Sequence, residues 1–307
     1  MRDIYKNLSD SFPVIYGGIN SSGGIHEFVL DGYDQDGLVH VNWGWGGRYD
    51  GYFNIDLLNP YSPTTAGYSN EQFKMVNIYP ENYELENVVE VETPGSLSSL
   101  LPEPYIMLYP EIKIKGSLNS DDVAWIRHLA QYVTKSFDLS NVSIVEGGNT
   151  YFEDLVTIAN EFPAHCFDGL SIDSIVLPHS ITSIGDSAFV GNPALKTVSI
   201  PACVVNLGKG VFANCTGITS IVIPDGIEKV SDNLFAGCTK LSNVTLSPNL
   251  KDIGSEAFGN CSAITQIELP VSLQTIGKAA FLKCTKLTAI SIPPTIKQLC
   301  DSAFYYC

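Results

Sequence analysis

The C-terminal half of this sequence is governed by one repeat of 23 residues. Its period is marked by phenylalanines, at Phe189, Phe212, Phe235, Phe258, Phe281 and Phe304. The third residue after each phenylalanine is Asn192 in the first copy and a cysteine in the later ones, at Cys215, Cys238, Cys261, Cys284 and Cys307. A unit of this length cannot bury its apolar face alone, so successive units must stack and align equivalent residues in ladders. The chain is therefore predicted to end in a solenoid.

Each copy also carries an apolar triplet before a turn, with spacings of three and two residues, as in Leu195, Val198 and Ile200. The residues between the triplet positions are predicted to face solvent on one side of the solenoid. They are mostly small and uncharged, and they lack the aromatic platforms that usually hold sugars, which favours a protein partner. The predicted binding residues are Thr197, Ser199, Ser220, Asn243, Thr245, Gln266, Glu268 and Ser291.

The repeat resembles the leucine-rich repeats of bacterial surface antigens of the treponemal type, over residues 167–307 with an imperfect first coil at 167–178. The ladder thiols are expected to stay reduced, because stacked strands hold equivalent Cβ atoms about 5 Å apart and a disulfide needs about 3.5–4.5 Å. Paired zinc ligands usually lie two to four residues apart, so no metal or other cofactor is predicted. The neighbours His165 and Cys166 would point to opposite faces of an extended chain, and no catalytic role is predicted for them.

Residues 111–166 are predicted to form a small α/β cap at the start of the solenoid. A strand is expected at 111–115, and Ser120 is predicted as the N-cap of a helix with apolar residues at helical spacing, at Val123, Ile126, Leu129 and Val133. The preceding segment, 81–110, is rich in glutamate and proline and contains no lysine or arginine. It is predicted to be an acidic, semi-extended linker.

The first 80 residues read as β-rich. Residues 26–33 and 38–43 alternate and are joined by a turn, so they are predicted to form an antiparallel hairpin that brings Asn42 and Trp43 toward His26. In a cysteine peptidase a histidine takes the thiol proton, and an asparagine side chain orients its ring. His40, on the return strand, is interpreted as structural.

These residues lie in distinctive runs: GGIHEFVLDG at 23–32, HVNWGWGG at 40–47 and DGYF at 50–53. The runs resemble the C-terminal, histidine-bearing half of the streptopain family of extracellular cysteine peptidases, over about residues 11–80. The resemblance implies an antiparallel β half of a papain-like fold, with His26 as general base, Asn42 as its orienting partner and Trp43 as a shield. Two features depart from the family pattern: Ile25 separates the glycine pair from His26, and the first cysteine of the chain is Cys166.

Composition excludes two further classes of function. The net charge of −16 repels nucleic acid. No run of about 18 apolar residues is present, so no transmembrane segment is predicted. The run at 44–47 is not a phosphate-binding loop, because the lysine that should follow such a loop is missing.

The mainly β chain is thus predicted to divide into a half domain at 1–80, a linker at 81–110, a cap at 111–166 and repeats at 167–307. The first hypothesis is a secreted or cell-surface protein that joins a peptidase fragment, inactive in this chain alone, to a protein-binding solenoid. Its expected partners are a host or matrix protein and, for the fragment, a separately encoded cysteine-bearing half or a second copy. The alternative is a non-catalytic adhesion or recognition protein with a relic peptidase segment.

Overall fold

The computed structural model describes residues 14–19, 25–33, 39–42, 51–53, 70–75, 88–101, 111–132 and 134–307. The chain divides into two compact units, Met1–Leu85 and Glu86–Cys307. The described residues confirm a mainly β protein with few helices, most of which is a solenoid of stacked coils.

The described strands of the first unit form a five-stranded sheet in the order β4-β3-β2-β1-β5. The strands are β1 Val14–Ile19, β2 Ile25–Tyr33, β3 Val39–Asn42, β4 Gly51–Phe53 and β5 Asn70–Met75. All neighbouring strands are antiparallel, and β2 and β3 form the predicted hairpin. Leu30 and Val41 face each other across this hairpin, and both are fully buried, as the alternation of apolar residues requires.

The second unit begins with a four-stranded parallel sheet in the order β10-β8-β7-β6. Its strands are β6 Val88–Val91, β7 Glu111–Leu118, β8 Ser136–Ile144 and β10 Ser174–Val176. Two helices accompany it, α1 Leu97–Leu100 and α2 Ser120–Gln131. The predicted strand near residue 139 is β8, and it pairs with the first coil of the solenoid through β10.

Part of the segment expected to be a linker, 81–110, is folded into this cap. Val91 and Leu97 are buried in its core. Gly116, with a φ of +102°, allows β6 to approach β7 closely, because a Cβ at this position would lie 2.2 Å from the carbonyl oxygen of Val91. Glutamates alternate with apolar residues here because β6 is an edge strand with one face in solvent.

Helix α2 begins one residue earlier than predicted, since Asn119 and not Ser120 is its N-cap. The Oδ1 atom of Asn119 accepts from the backbone N–H groups of Asp121 (3.0 Å) and Asp122 (3.4 Å). The buried carboxylate of Asp122 accepts in return from the N–H of Asn119 (3.0 Å), which completes a capping box. Asp122 also accepts from the N–H groups of Gly95 (2.6 Å) and Leu97 (2.9 Å), so it ties α1 to α2.

The solenoid coils are joined by short parallel strands that repeat every 23 residues. On one side lie β13 Ser220–Val222 and β15 Asn243–Thr245. On another side lie β9 Glu161–Phe162, β11 Ser183–Ile184 and β12 Asn206–Leu207, followed by β14 Lys229–Val230, β16 Asp252–Ile253, β17 Thr275–Ile276 and β18 Gln298–Leu299. Ile253 pairs with Ile276, one repeat away.

The phenylalanine ladder fills the centre of the solenoid, as predicted. The rings of Phe189, Phe212, Phe235, Phe258 and Phe281 are fully buried. Successive ring centroids from Phe189 to Phe304 lie between 5.2 Å (Phe258 to Phe281) and 5.6 Å (Phe212 to Phe235) apart. The stacking distance matches the coil spacing, so each ring contacts its neighbours on both sides.

Candidate functional site

The structure places His26 and Asn42 on neighbouring antiparallel strands of the first unit. His26 lies near the start of β2, where its backbone pairs with Gly18 of β1. Asn42 ends β3 and pairs with Val29 of β2, three residues along the strand from His26. Trp43 lies outside the described residues. The arrangement of the backbone brings the two predicted residues to the middle of one sheet, while their catalytic roles stay a prediction.

His40 lies on β3, opposite Gly32. Its Nδ1 atom is 2.5 Å from the Oδ1 atom of Asp31, so the ring is paired with a carboxylate of the adjacent strand. This contact links β2 to β3 and agrees with the structural role that the sequence favoured for His40.

The buried thiol of Cys166, the first cysteine of the chain, is poorly suited to act as a nucleophile. Desolvation raises the pKa of its thiol to about 12, although Arg127 opposes the shift. The thiol therefore stays protonated near neutral pH, and the thiolate is the reactive form. The neighbouring His165 ring is occupied elsewhere, because its Nδ1 atom lies 2.8 Å from Asp168 Oδ2 and the ring stacks on Phe152.

The ladder cysteines are free and hold the coils together through weak hydrogen bonds. Each thiol donates to the carbonyl oxygen of a phenylalanine in the preceding coil. The Sγ–O distances are 2.9 Å for Cys215, 3.1 Å for Cys238, Cys261 and Cys307, and 3.2 Å for Cys284. Burial raises the pKa of Cys215 and of Cys284 to about 12. The structural interpretation of the ladder is confirmed, and its thiols remain neutral near pH 7.

Asn192 replaces the cysteine at the start of this ladder and makes stronger contacts. Its Nδ2 atom donates to the carbonyl oxygens of Phe167 (2.6 Å) and Phe189 (2.9 Å). Its Oδ1 atom accepts from the N–H of Ile172 (2.9 Å). The first coil is one residue short, and Asn192 bridges it to the regular repeats, in agreement with the expected polar contact to backbone.

The strand face of the solenoid consists of residues 196–199, 219–222, 242–245, 265–268 and 288–291. Between the apolar triplet positions its side chains are exposed, with the exception of the half-buried Ser242. All the predicted binding residues are exposed: Thr197, Ser199, Ser220, Asn243, Thr245, Gln266, Glu268 and Ser291. The exposure predicted for this face is therefore confirmed, while binding itself is untested.

Two shallow grooves run along the strand face between adjacent coils. One, of about 640 Å³, is lined by residues that include Thr197, Ser199 and Ser220. The other, of about 500 Å³, is lined by residues that include Asn243 and Gln266. Their borders carry the exposed apolar side chains Val222 and Val271, which the sequence analysis did not select as binding residues although the repeat register marks both as surface positions.

Comparison with known proteins agrees with this division of the chain. Residues 1–53 match the Peptidase C10 family, and residues 160–266 and 206–307 match the BspA type leucine rich repeat region, with six copies. The thiol protease/hemagglutinin PrtT of Porphyromonas gingivalis is 42% identical over 110 residues, which are 34% of this chain and 11% of that protein. Streptopain of Streptococcus pyogenes is 46% identical over 81 residues, 25% of this chain and 20% of that protein.

Solved structures show the same two likenesses. A leucine rich repeat protein of T. pallidum is 27% identical, with a TM-score of 0.33, and the match covers 40% of this chain and 54% of that one. A leucine-rich repeat protein of Bacteroides ovatus is 29% identical, with a TM-score of 0.41 and coverage of 57% and 47%. The active interpain A cysteine protease of Prevotella intermedia is 46% identical, with a TM-score of 0.22 and coverage of 24% and 30%.

The chain is thus a fusion of a cysteine-peptidase segment with a leucine-rich-repeat solenoid. The peptidase segment is of the Peptidase C10 (streptopain) family, and the solenoid is of the BspA type. The chain spans 20% or less of the length of these curated relatives. None of the helices in the described residues is long and apolar enough to cross a membrane.

Proposed function

We propose that this chain belongs to a secreted or cell-surface bacterial protein in which the solenoid binds a host or matrix protein and brings a streptopain-like peptidase segment to it. The observation that carries the proposal is the strand face, where the predicted binding residues are all exposed and lie along grooves. The families matched by the two parts support an extracellular location.

The chemistry of the strand face suits a protein partner. Hydroxyl and amide groups recur at fixed positions in each coil, so they offer hydrogen-bond donors and acceptors at the spacing of the coils, about 5 Å. The face is nearly uncharged, apart from Lys196 and Glu268, and its groove borders carry the exposed valines Val222 and Val271. A mixed polar and apolar surface of this kind is typical of protein interfaces.

For the peptidase segment we propose that His26 is the general base, Asn42 orients its ring and Trp43 shields their hydrogen bond. The identity to streptopain and the neighbouring strands of His26 and Asn42 support these roles. The half domain is placed at 1–80, the cap at 111–166 and the repeats at 167–307. Catalysis also needs a thiolate within hydrogen-bond reach of the histidine. We infer that a separate cysteine-bearing half, or a second copy of the chain, would cover this segment.

The alternative is a non-catalytic adhesion or recognition protein that retains a relic of the peptidase. The burial of Cys166 favours this alternative for the chain as given, since that thiol stays protonated. Both hypotheses require the strand face to bind protein, and they differ in whether an added cysteine-bearing half restores cleavage.

The binding proposal is tested on the full chain by surface plasmon resonance against a panel of immobilised matrix proteins. Thr245→Arg and Gln266→Arg place bulky charge in the groove between two coils and are expected to weaken binding about tenfold or more. Gln298→Arg, an exposed position on β18, is the matched control and should bind like the wild type. Equal binding by all variants would contradict the proposal, as would strong binding to a glycan array that the two groove variants abolish.

A further inference from the structure

A third depression lies where the cap meets the first coils of the solenoid, apart from the strand face. This cap groove has a volume of about 560 Å³ and runs between the loop at 151–158 and the strands β9, β11 and β12. Apolar side chains from the loop line it, together with carboxylates from both sides; they are Leu155, Val156, Ile158, Glu153, Glu161 and Asp186.

The loop that forms one wall is held in place by hydrogen bonds at both ends. The hydroxyl of Tyr151 donates to the carbonyl oxygen of Ala164 (2.7 Å). Thr157 donates through its hydroxyl to the carbonyl oxygen of Val145 (2.6 Å), and its N–H donates to the hydroxyl of Ser120 (2.9 Å). The groove is therefore preformed, which lowers the entropy cost of binding.

Two β-branched side chains project from this fixed loop into solvent. Val156 is 51% exposed and Ile158 is 54% exposed, although the residue between them, Thr157, is buried. Because the loop is anchored, these side chains cannot be buried by a small rearrangement within the chain. A partner that covers them gains the free energy of burying apolar surface.

The carboxylates of the groove carry negative charge that no lysine or arginine of the described chain neutralises. Glu161 accepts a hydrogen bond from the hydroxyl of Ser183 (3.0 Å), and Asp186 accepts from the N–H of Lys209 (2.7 Å). Among the described residues neither of them, nor Glu153, forms a salt bridge.

The nearby basic groups are engaged elsewhere. The guanidinium of Arg127 lies 4.3 Å over the ring of Phe152 and donates to the carbonyl oxygens of His165 and Cys166. The Nζ atom of Lys209 lies 3.9 Å from Asp232, in the direction of the next coil. The potential of the groove therefore favours a cation.

We propose that the cap groove binds an extended peptide segment of a partner protein in which lysine or arginine stands next to an aliphatic residue. The apolar side chains would cover Val156 and Ile158, and the cationic groups would pair with Glu153, Glu161 and Asp186. A small molecule fits less well, because the exposed rim residues leave most of it in solvent, whereas binding pockets bury most of their ligand.

The test uses the full chain and fluorescence anisotropy of labelled hexapeptides. The probe alternates valine and lysine, and two comparison peptides alternate serine with lysine and valine with glutamate. Protein variants are Glu153→Gln, expected to weaken binding about two- to fivefold, and Ile158→Ser, expected to weaken it about fivefold. Glu268→Gln, which removes the same charge from the strand face, is the matched control and should leave the affinity unchanged.

The controls separate this site from general attraction to an acidic protein. Saturable binding of the valine–lysine probe that both groove variants weaken and Glu268→Gln does not would support the proposal. Equal weakening by Glu268→Gln, no saturation at millimolar protein, or equally tight binding of either comparison peptide would overturn it. Thermal unfolding of each variant verifies that the fold is intact, and the exposure of Glu153 and Ile158 makes a large change unlikely to arise from folding.

Discussion

Replacement of Phe235 by alanine should strongly destabilise the middle of the solenoid. The ring is fully buried and stacks on Phe212 at 5.6 Å and on Phe258 at 5.4 Å. Two aromatic contacts contribute about 0.5–1.5 kcal/mol each beyond the burial of apolar surface. Burial itself contributes about 1.5–3 kcal/mol. The expected loss in the free energy of unfolding is therefore about 3–5 kcal/mol, which agrees with the usual cost of such a deletion.

The position of the ring in the ladder decides how far the damage spreads. In a repeat protein each coil is stabilised mainly by its two neighbours, so the coils on both sides of residue 235 should lose protection. Phe304 is the matched comparison, because it is only partly buried and stacks on one recorded partner, Phe281, at 5.3 Å. Phe304→Ala should cost about half as much or less.

Native-state amide hydrogen exchange during urea titration measures both effects without assuming that the whole chain unfolds in one step. Coils around residue 235 should exchange faster in Phe235→Ala, while Phe304→Ala should affect only the last coils. A loss below about 1 kcal/mol for Phe235→Ala, or equal losses for the two variants, would refute the argument that stacking through the ladder stabilises the solenoid.

Two further predictions concern the thiols. The ladder pKa values are raised in the fold, so the unfolded chain loses protons first above pH 9 and stability should fall by about 1.4 kcal/mol per pH unit for each such thiol up to about pH 12; urea midpoints at pH 8 and 10 measure this, and Cys215→Ala should flatten the slope, whereas a pH-independent midpoint would contradict it. The purified chain should not cleave unfolded casein by a cysteine mechanism, because Cys166 is buried and protonated; cleavage abolished both by His26→Ala and by alkylation would contradict this, and cleavage restored by adding a cysteine-bearing half would show that His26 and Asn42 keep their geometry.

The repeat made the solenoid predictable in detail. Stacking brings residue i against residue i + 23, so a contact between coils is visible in the sequence as a recurring residue type. The burial of Phe235, the exposure of Asn243 and the backbone contacts of Asn192 all followed from register alone. The first unit was less predictable, and the motif around His26 located a site only because the run resembles a known family.

The cap shows why other features escaped the sequence. Strand β6 lies in a glutamate-rich segment whose composition is typical of a linker, and its partner β7 comes 20 residues later in the chain. A parallel pairing of this kind depends on distant residues such as Gly116, which leaves room for the backbone of β6. The N-cap moved from Ser120 to Asn119 because Asp122 can complete a capping box only with the earlier residue.

The sequence by itself determined the period of the solenoid, the residues that fill its core and the face that meets solvent, because in a stacked array these depend only on spacing along the chain. Tertiary structure alone decided the cap groove, the anchoring of Val156 and Ile158 on a fixed loop, and the engagement of Arg127 away from the carboxylates. Those features join segments that share no period, so their contacts leave no recurring mark in the sequence.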